Sequence, residues 1–312
     1  MSDALTICEC FARDGLQHET TDLSTQTKIA LIDAISEAGF PRVEATSYSS
    51  PRHVPVFADA SSVLAGIRRR PGTAYKATCP NLHAVRRAIE DREAGHGPEE
   101  ISLLVSATQA HTEKNLRTTR EQQWRNIAEM VALAGGGFRL IGVISMALGC
   151  PFEGRVDPAS VIGDLKAFSD LGVRHVSICD TTGHGTPGSV RRLFARAFAE
   201  VPDVTPIAHF HDTRGTGIAN CMAAFEAGCR WFDSAIGGVG GHPAQIRYGG
   251  GYTGNVATED LVNLFEAEGI ATGIDIDRLQ AALLQCEQAL GRELQSKVAR
   301  TGFGHLAAWD FS

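Results

Sequence analysis

Two histidines separated by one residue carry the strongest chemical signal in the sequence. His209 and His211 flank Phe210 at the end of a short apolar run that is typical of a buried strand. Residues two apart on a strand point to the same face, so both imidazoles are predicted to project inward while Phe210 turns away. Packed core histidines are the alternative, but a pair at the end of a strand favours a metal-binding site.

Polar side chains occur at equivalent positions after other apolar runs, where one alone could merely cap the next helix. Several such groups together predict a single polar site, because the ends of parallel strands meet at one edge of a sheet. They are Arg13, Asp14 and Gln17 after the first run, Glu44 and Ser47 at the end of the second, and Asp180 at the end of the sixth.

Eight short apolar runs alternate with helical patterns, which is the arrangement of repeated βα units around a parallel sheet. In the first helical pattern, residues 27–38, isoleucines recur at three-residue spacing and Gly39 supplies a stop. Eight units predict a (β/α)8 TIM barrel, whereas a doubly wound sheet usually begins with a glycine-rich dinucleotide loop that is missing here. The predicted strands are 5–10, 42–46, 74–77, 100–105, 139–145, 175–179, 206–211 and 231–235.

The barrel is predicted to be the catalytic domain, over residues 1–272, with residues 273–312 as a short C-terminal helical extension. A helix over 277–290 is expected to pack on the barrel or to join a subunit interface. After the eighth run the chain is rich in glycine, at 237–241 and again at 249–251. This loop could close over a ligand or cradle a phosphate, or it could serve as a flexible connector.

Composition excludes several classes of protein. The formal net charge of −7 argues against a nucleic-acid partner, and no apolar run approaches the roughly 20 residues that a membrane span requires. The first residues lack the basic start and apolar stretch of a secretory signal, so a cytoplasmic protein is expected. Eight cysteines without a C-x-x-C pair are expected to remain reduced.

The motifs resemble those of the hydroxymethylglutaryl-CoA lyases, within a wider group of metal-dependent lyases and condensing enzymes built on one barrel. The resemblance extends over nearly the whole chain. The matching segments are RDGLQ at 13–17, EATSY at 44–48, SP at 50–51, VP at 54–55, ALGCPFEG at 147–154, DT at 180–181, HFHDT at 209–213 and GNVATEDLV at 254–262.

The resemblance implies a site for a divalent cation, Mg²⁺ or Mn²⁺, because oxygen and imidazole ligands suit these ions better than thiolates. It makes Asp14, His209, His211 and Asn255 the metal ligands, and Arg13, Asp14 and His209 catalytic residues; His242 is added to the catalytic set on general chemical grounds, because it departs from the family pattern. Arg13 is placed beside the substrate carbonyl. It also implies that Gln17, Glu44, Ser47 and Asp180 bind substrate and that Glu259 supports the site or supplies a helix-start charge.

The implied reaction is a retro-aldol cleavage of hydroxymethylglutaryl-CoA or a related 3-hydroxyacyl-CoA, in a cytoplasmic homodimer. Where those lyases carry Gly-Gly-Cys-Pro, this chain has His242 in Gly-Gly-His-Pro. His242 could transfer a proton in place of the thiol, contact a substrate carboxylate, or take no part. An aldolase or Claisen-type condensing enzyme acting on a 2-oxo acid, and a non-catalytic barrel that binds metal and ligand, are the alternatives.

Overall fold

Short runs of buried residues form eight parallel strands in the part of the chain that the computed structural model describes, residues 5–240 and 254–303. Each strand pairs with the next, and the first also pairs with the last, which closes the sheet into a barrel. The strands are β1 (Thr6–Glu9), β2 (Arg42–Ser47), β3 (Ala74–Thr78), β4 (Glu100–Ser106), β5 (Arg139–Ser145), β6 (His175–Asp180), β7 (Thr205–Phe210) and β8 (Trp231–Ser234).

Helices between the strands cover the outside of the barrel, and five of them begin at a side chain that caps a free backbone N–H. The capping residues are Ser24, Asn81, Thr119, Asp157 and Thr186. The helices are α1 (Thr25–Glu37), α2 (Ala60–Gly66), α3 (Leu82–Glu93), α4 (Gln109–Leu116), α5 (Arg120–Ala134), α6 (Pro158–Asp170), α7 (Pro187–Glu200), α8 (Gly217–Glu226), α9 (Thr258–Ala267), α10 (Ile276–Leu290) and α11 (Val298–Thr301).

The predicted TIM barrel is confirmed, and each predicted strand has an observed counterpart within two residues at either end. One difference bears on the site. The seventh strand was expected to include His211, but β7 ends at Phe210 because His211 pairs with Asn255 in an isolated antiparallel bridge. His211 therefore stands at the mouth of the barrel, bonded to the segment that precedes α9.

The predicted C-terminal helix corresponds to α10, which packs beside α1 on the outside of the barrel. The Asp275 N–H, just before α10, donates to the Ala38 carbonyl oxygen at 2.8 Å. The boundary after residue 272 stays a prediction.

The eight cysteines are buried free thiols, and no helix among the described residues has the length and apolar character of a membrane span.

The interior of the barrel is charged, where branched apolar side chains usually dominate. Arg42 is 1% exposed, and its guanidinium donates to Glu100 Oε2 at 2.9 Å and to Asp233 Oδ1 at 3.3 Å. Arg139 reaches the other oxygen of Glu100 at 2.7 Å. Two buried carboxylates from distant strands therefore share one buried cation.

Removing that cation should destabilise the barrel, because Arg42→Ala removes the positive charge that offsets the cost of burying the Glu100 and Asp233 carboxylates. We expect a loss of about 3–5 kcal/mol in the free energy of unfolding, measured in urea by circular dichroism. The matched control is Arg68→Ala, since Arg68 is exposed and pairs with Asp33 at the surface, so its loss should have a much smaller effect on the free energy of unfolding. Equal losses in the two variants would contradict this account.

Candidate active site

Arg13 and Asp14 lie in a tight helical turn, Phe11–Gly15, that follows β1 at the mouth of the barrel. The turn is held from below, since the Phe11 N–H donates to Glu9 Oε1 at 2.8 Å. Arg13 Nη1 donates to Asp14 Oδ1 at 2.6 Å, and its Nε lies 3.6 Å from Glu44 Oε1. The structure therefore brings a cation and two carboxylates together at the ends of β1 and β2.

The two imidazoles approach Asp14 from the end of β7, which only β8 separates from β1 in the closed barrel. The Nε2 atoms of His209 and His211 lie 3.9 Å and 3.7 Å from Asp14 Oδ2. One donor atom from each of these residues lies within 4.8 Å of the others, a spacing that could hold a metal ion. The inward projection predicted for the histidine pair matches this arrangement.

Asn255 completes the cluster. Its Nδ2 donates to Asp14 Oδ2 at 2.7 Å and to the Val239 carbonyl oxygen at 3.0 Å, which fixes the orientation of the amide. The Oδ1 atom is buried and has no hydrogen-bond partner among the described residues. A buried oxygen beside a carboxylate and two imidazoles fits a divalent cation, because such a ligand would satisfy it.

A glycine permits this close approach. Gly240 has φ +131°, and a Cβ there would collide with the Asn255 amide. The backbone conformation also lies in the region that side chains disfavour. A larger residue at this position would separate Asn255 from Asp14.

The charges in the cluster reinforce one another. Burial alone would raise the pKa of Asp14, but Arg13 and the two imidazoles outweigh it and hold the carboxyl below its usual range. Burial would lower the pKa of His209, but a hydrogen bond with Asp233 and the charge of Asp14 raise it. Asp14 therefore remains ionised over a wide pH range and is available as a ligand.

Asp233 is a site residue that the sequence did not predict. Its Oδ2 lies 3.4 Å from Nδ1 of His209 and accepts from the Ser177 hydroxyl at 3.0 Å. This contact holds the ring so that Nε2 faces Asp14, as buried carboxylates commonly do for metal-binding histidines. Asp233 also lies within ligand distance of Cys8 and Cys10, but its oxygens are already engaged, so the first cluster fits a cation better.

A cavity leads from this cluster into the barrel. Gln17 and Glu44, which the sequence placed at the site, are among the residues that line the cavity. Glu44 Oε1 accepts a hydrogen bond from Thr78 Oγ1 at 2.7 Å. The lining residues are Arg13, Asp14, Gln17, Glu44, Lys76, Thr78, Ser102, Leu104, His111, Asn115, Val143, Ser145, Ser177, Cys179, Thr181, His209, His211 and Asp233.

Ser47 and Asp180 do not line the cavity, so the structure does not place them where substrate contact was expected. The Asp180 carboxylate is buried and accepts from the N–H groups of His184 and Gly185, each at 2.8 Å. Burial raises the pKa of Asp180 to about 6, although these N–H groups oppose the shift. The Ser47 hydroxyl is engaged with Ser49 at 2.8 Å. Both residues hold loops. Asp180 does not cap the following helix either, because the side chain of Thr186 caps α7.

Two buried acids brace the loops that carry the ligands. Glu9 accepts from the Ile236 N–H at 3.0 Å and from the Thr258 hydroxyl at 2.5 Å. Both Glu259 oxygens accept from the Gly237 N–H, at 3.2 Å and 3.0 Å. Glu259 thus supports the segment that leads to Val239, whose carbonyl holds Asn255.

The sequence contained a signal for the residues that were missed. Charged or hydroxyl residues occur two positions apart in or directly after predicted strands, at Arg42 and Glu44, at Lys76 and Thr78, and at Glu100 and Ser102. Residues two apart share a face, so this alternation indicates a polar barrel interior. Asp233 is the exception, because no charged or hydroxyl residue lies two positions before or after it in the sequence. His242 lies outside the described residues.

The chain is similar in sequence to a known family of lyases over most of its length. A family model described as HMGL-like matches residues 4–284. A mitochondrial hydroxymethylglutaryl-CoA lyase of Macaca fascicularis is 39% identical over 94% of this chain and 88% of its own length. A cytoplasmic 3-hydroxy-3-methylglutaryl-CoA lyase of Mus musculus is 34% identical over 97% of this chain and 86% of its own length.

Solved structures of hydroxymethylglutaryl-CoA lyases have the same fold as this chain. An HMG-CoA lyase from Acinetobacter baumannii, in complex with coenzyme A and 3-methylmalate, superposes with a TM-score of 0.90 at 36% identity over 98% of each chain. A hydroxymethylglutaryl-CoA lyase from Pseudomonas aeruginosa gives a TM-score of 0.89 at 35% identity, covering 96% of this chain and 98% of that one.

The bracing role of Glu259 predicts a pH dependence of stability. Burial, with a contribution from Glu9, raises the pKa of Glu259 to about 8 from 4.5. Between these two pKa values the folded protein keeps this proton while the unfolded chain loses it. The contribution of the Glu259 carboxyl to the free energy of unfolding is therefore full below about pH 4.5 and is lost as the pH rises towards 8. The free energy of unfolding should fall by about 1.4 kcal/mol per pH unit in this window.

Glu259→Gln should show a shallower slope in urea unfolding measured from pH 5 to pH 8, because glutamine does not titrate. Glu226→Gln, which changes an exposed carboxyl paired with Arg191, is the control and should leave the slope unchanged. Identical slopes for Glu259→Gln and the unmodified protein would show that this carboxyl is already ionised when folded.

Proposed function

Because the chain belongs to the HMGL-like family, we propose that it is a metal-dependent carbon–carbon lyase. Its substrate is hydroxymethylglutaryl-CoA or a related 3-hydroxyacyl-CoA, and its products are acetyl-CoA, or a similar thioester, and acetoacetate or another keto product. The observation that carries the proposal is the buried cluster of Asp14, His209 and His211, completed by the unpaired oxygen of Asn255. The names of the similar proteins support the substrate class.

Asp14, His209, His211 and Asn255 would hold the cation, and their oxygen and imidazole donors suit Mg²⁺ or Mn²⁺. A bound divalent cation supplies a Lewis acid that makes the tertiary hydroxyl of the substrate more acidic. Asp233 keeps His209 in the orientation that this role requires, since it accepts from Nδ1 and leaves Nε2 for the ion.

Arg13 is positioned to stabilise the negative charge that the cleavage creates. As a base takes the proton of the hydroxyl, its oxygen becomes the carbonyl oxygen of the keto product. The carbon–carbon bond breaks and its electron pair moves to the thioester fragment, which becomes an enolate. The Arg13 guanidinium is fixed by Asp14, and its buried Nε has no hydrogen-bond acceptor among the described residues. A donor held in this way stabilises an oxyanion without reorganising during the reaction.

The enolate must then gain a proton at carbon, and we assign this step to His242. An imidazole titrates near neutral pH and can act as a general acid. Gln17 and Glu44 complete the polar wall of the cavity beside Arg13. No specific observation favours either the condensing enzyme or the non-catalytic barrel over the lyase.

The remaining assignments are proposals of the same kind. A cytoplasmic location agrees with the name of the Mus musculus relative, although other relatives are named as mitochondrial. A homodimer is an expectation from the family resemblance. A partner among nucleic acids is disfavoured by the net charge of −7.

The lyase proposal predicts that the purified protein releases acetyl-CoA and acetoacetate from hydroxymethylglutaryl-CoA when Mg²⁺ or Mn²⁺ is added. A chelator should abolish cleavage, and added metal should restore it, since the ligands are preformed. His211→Ala should lose activity together with metal binding, measured by calorimetry, whereas His83→Ala at an exposed helical position should lose neither. The proposal fails if neither this thioester nor any related 3-hydroxyacyl thioester is cleaved.

A role for His242 in proton transfer predicts that His242→Ala lowers kcat by about 10²- to 10⁴-fold with little change in KM. His242→Cys should recover part of that loss, because a thiol can also transfer a proton. A rise in KM at unchanged kcat would instead assign His242 to substrate binding, and steady-state kinetics distinguish the two results.

A further inference from the structure

We propose that the floor of the cavity recognises a short substituent ending in oxygen on the carbon whose bond is broken. The preferred substrates would then be 3-hydroxyacyl-CoA thioesters that carry a hydroxymethyl or carboxymethyl group where hydroxymethylglutaryl-CoA carries a methyl group. This inference rests on the proposed lyase function and narrows its substrate class.

The cavity continues below the metal cluster, and its deeper wall is polar. Lys76 and Thr78 reach it from β3, Ser102 from β4 and Ser177 from β6. The four side chains are buried, with at most 2% of each residue exposed. Polar groups at this depth normally bond to other groups of the protein or to a ligand.

Lys76 is the donor that a substrate oxygen could reach. Its Nζ lies 3.5 Å from Glu44 Oε2 and 3.9 Å from Asp233 Oδ2. Both distances exceed the 2.7–2.9 Å that is usual for a hydrogen bond between an ammonium and a carboxylate. Burial alone would lower the pKa of Lys76, but the charges around it, with Asp233 foremost, raise it well above its usual value. The group is therefore a buried cation without a short bond to either acid.

Neighbouring hydroxyls extend this polar surface. Thr78 Oγ1 and Ser102 Oγ lie 2.9 Å apart, and the Ser177 hydroxyl donates to Asp233. Leu104 and Val143 supply apolar lining in the same cavity. A methylene group could rest on the apolar part while the oxygen that it carries meets the ammonium and the hydroxyls.

The stereochemistry of the substrate directs one group to this floor. The carbon that carries the tertiary hydroxyl has three other substituents. The thioester arm must leave through the mouth, because coenzyme A is far too large for the barrel interior. The carboxylate arm is an anion and would be attracted to the cation that Asp14, His209 and His211 would hold. The third substituent is the one left to point towards Lys76.

A methyl group at this position would face Lys76 without bonding to it. A site built from buried polar groups discriminates strongly against a ligand that leaves them unpaired. The competing explanation is that Lys76 only neutralises Glu44 and Asp233, in which case the third substituent would not affect the rate.

The test compares kcat/KM of the unmodified protein with Mg²⁺ for three thioesters that differ only in this substituent, methyl, hydroxymethyl or carboxymethyl. We expect at least one oxygen-bearing thioester to be preferred by about 10- to 100-fold over the methyl compound. Comparison of the two oxygen-bearing compounds tells whether the floor selects a neutral hydroxyl or an anion.

Equal or better use of the methyl thioester would overturn the inference and leave the lyase function standing. Failure to cleave any of the three would overturn the lyase function and the inference with it.

Two variants test whether the preference for an oxygen-bearing substituent depends on the side chains of the cavity floor. Lys76→Met should bring the ratio of kcat/KM values close to 1, and Ser102→Ala should lower it several-fold in a protein whose buried charges are intact. Lys28→Met is the matched control, because Lys28 is also a buried lysine paired with an acid, Asp59, but lies outside the cavity. A preference that survives both Lys76→Met and Ser102→Ala would overturn the assignment to this floor.

Discussion

The contact between Asp14 and Asn255 is the interaction on which the site depends. These residues are 241 positions apart, and a bond of 2.7 Å joins them only because β8 closes onto β1. Barrel closure also sets His209 and His211 opposite the same carboxylate. One oxygen atom, Asp14 Oδ2, is thus shared by groups from both ends of the chain, so an error in strand register would separate all of them at once.

Placing so much charge in a buried site requires support beneath it. Ion pairs with the protein offset the cost of burying a carboxylate, and here they extend down through the barrel from Asp233 to Arg42 and Glu100. Glu9 and Glu259 provide a second layer outside the sheet, where they hold backbone N–H groups of the loops after β1 and β8. The polar interior therefore has two uses, since it fixes His209 and also leaves Lys76 beside the cavity.

Periodicity predicted the barrel because each strand and helix shows its own repeat in the sequence. The histidine pair was predictable for the same reason, because its geometry follows from the two-residue period of one strand. The partnership of Asp14 with Asn255 came only from the family resemblance, since nothing local relates residues so far apart. The position of Asp180 could not be read from the sequence, because a carboxylate at a strand end can turn towards either the cavity or the following loop. Asp233 was missed because its role depends on contacts with residues of four other strands, namely Arg42, Lys76, Ser177 and His209.

The central claim is that Asp14, His209, His211 and Asn255 form one cation site. Anomalous diffraction from crystals soaked in Mn²⁺ tests it most directly, because the signal locates the ion without reference to activity. The account predicts a single strong peak within about 2.0–2.3 Å of ligand atoms from these four residues. A peak beside Cys8, Cys10 and Asp233 instead, or no peak at saturating Mn²⁺, would contradict it.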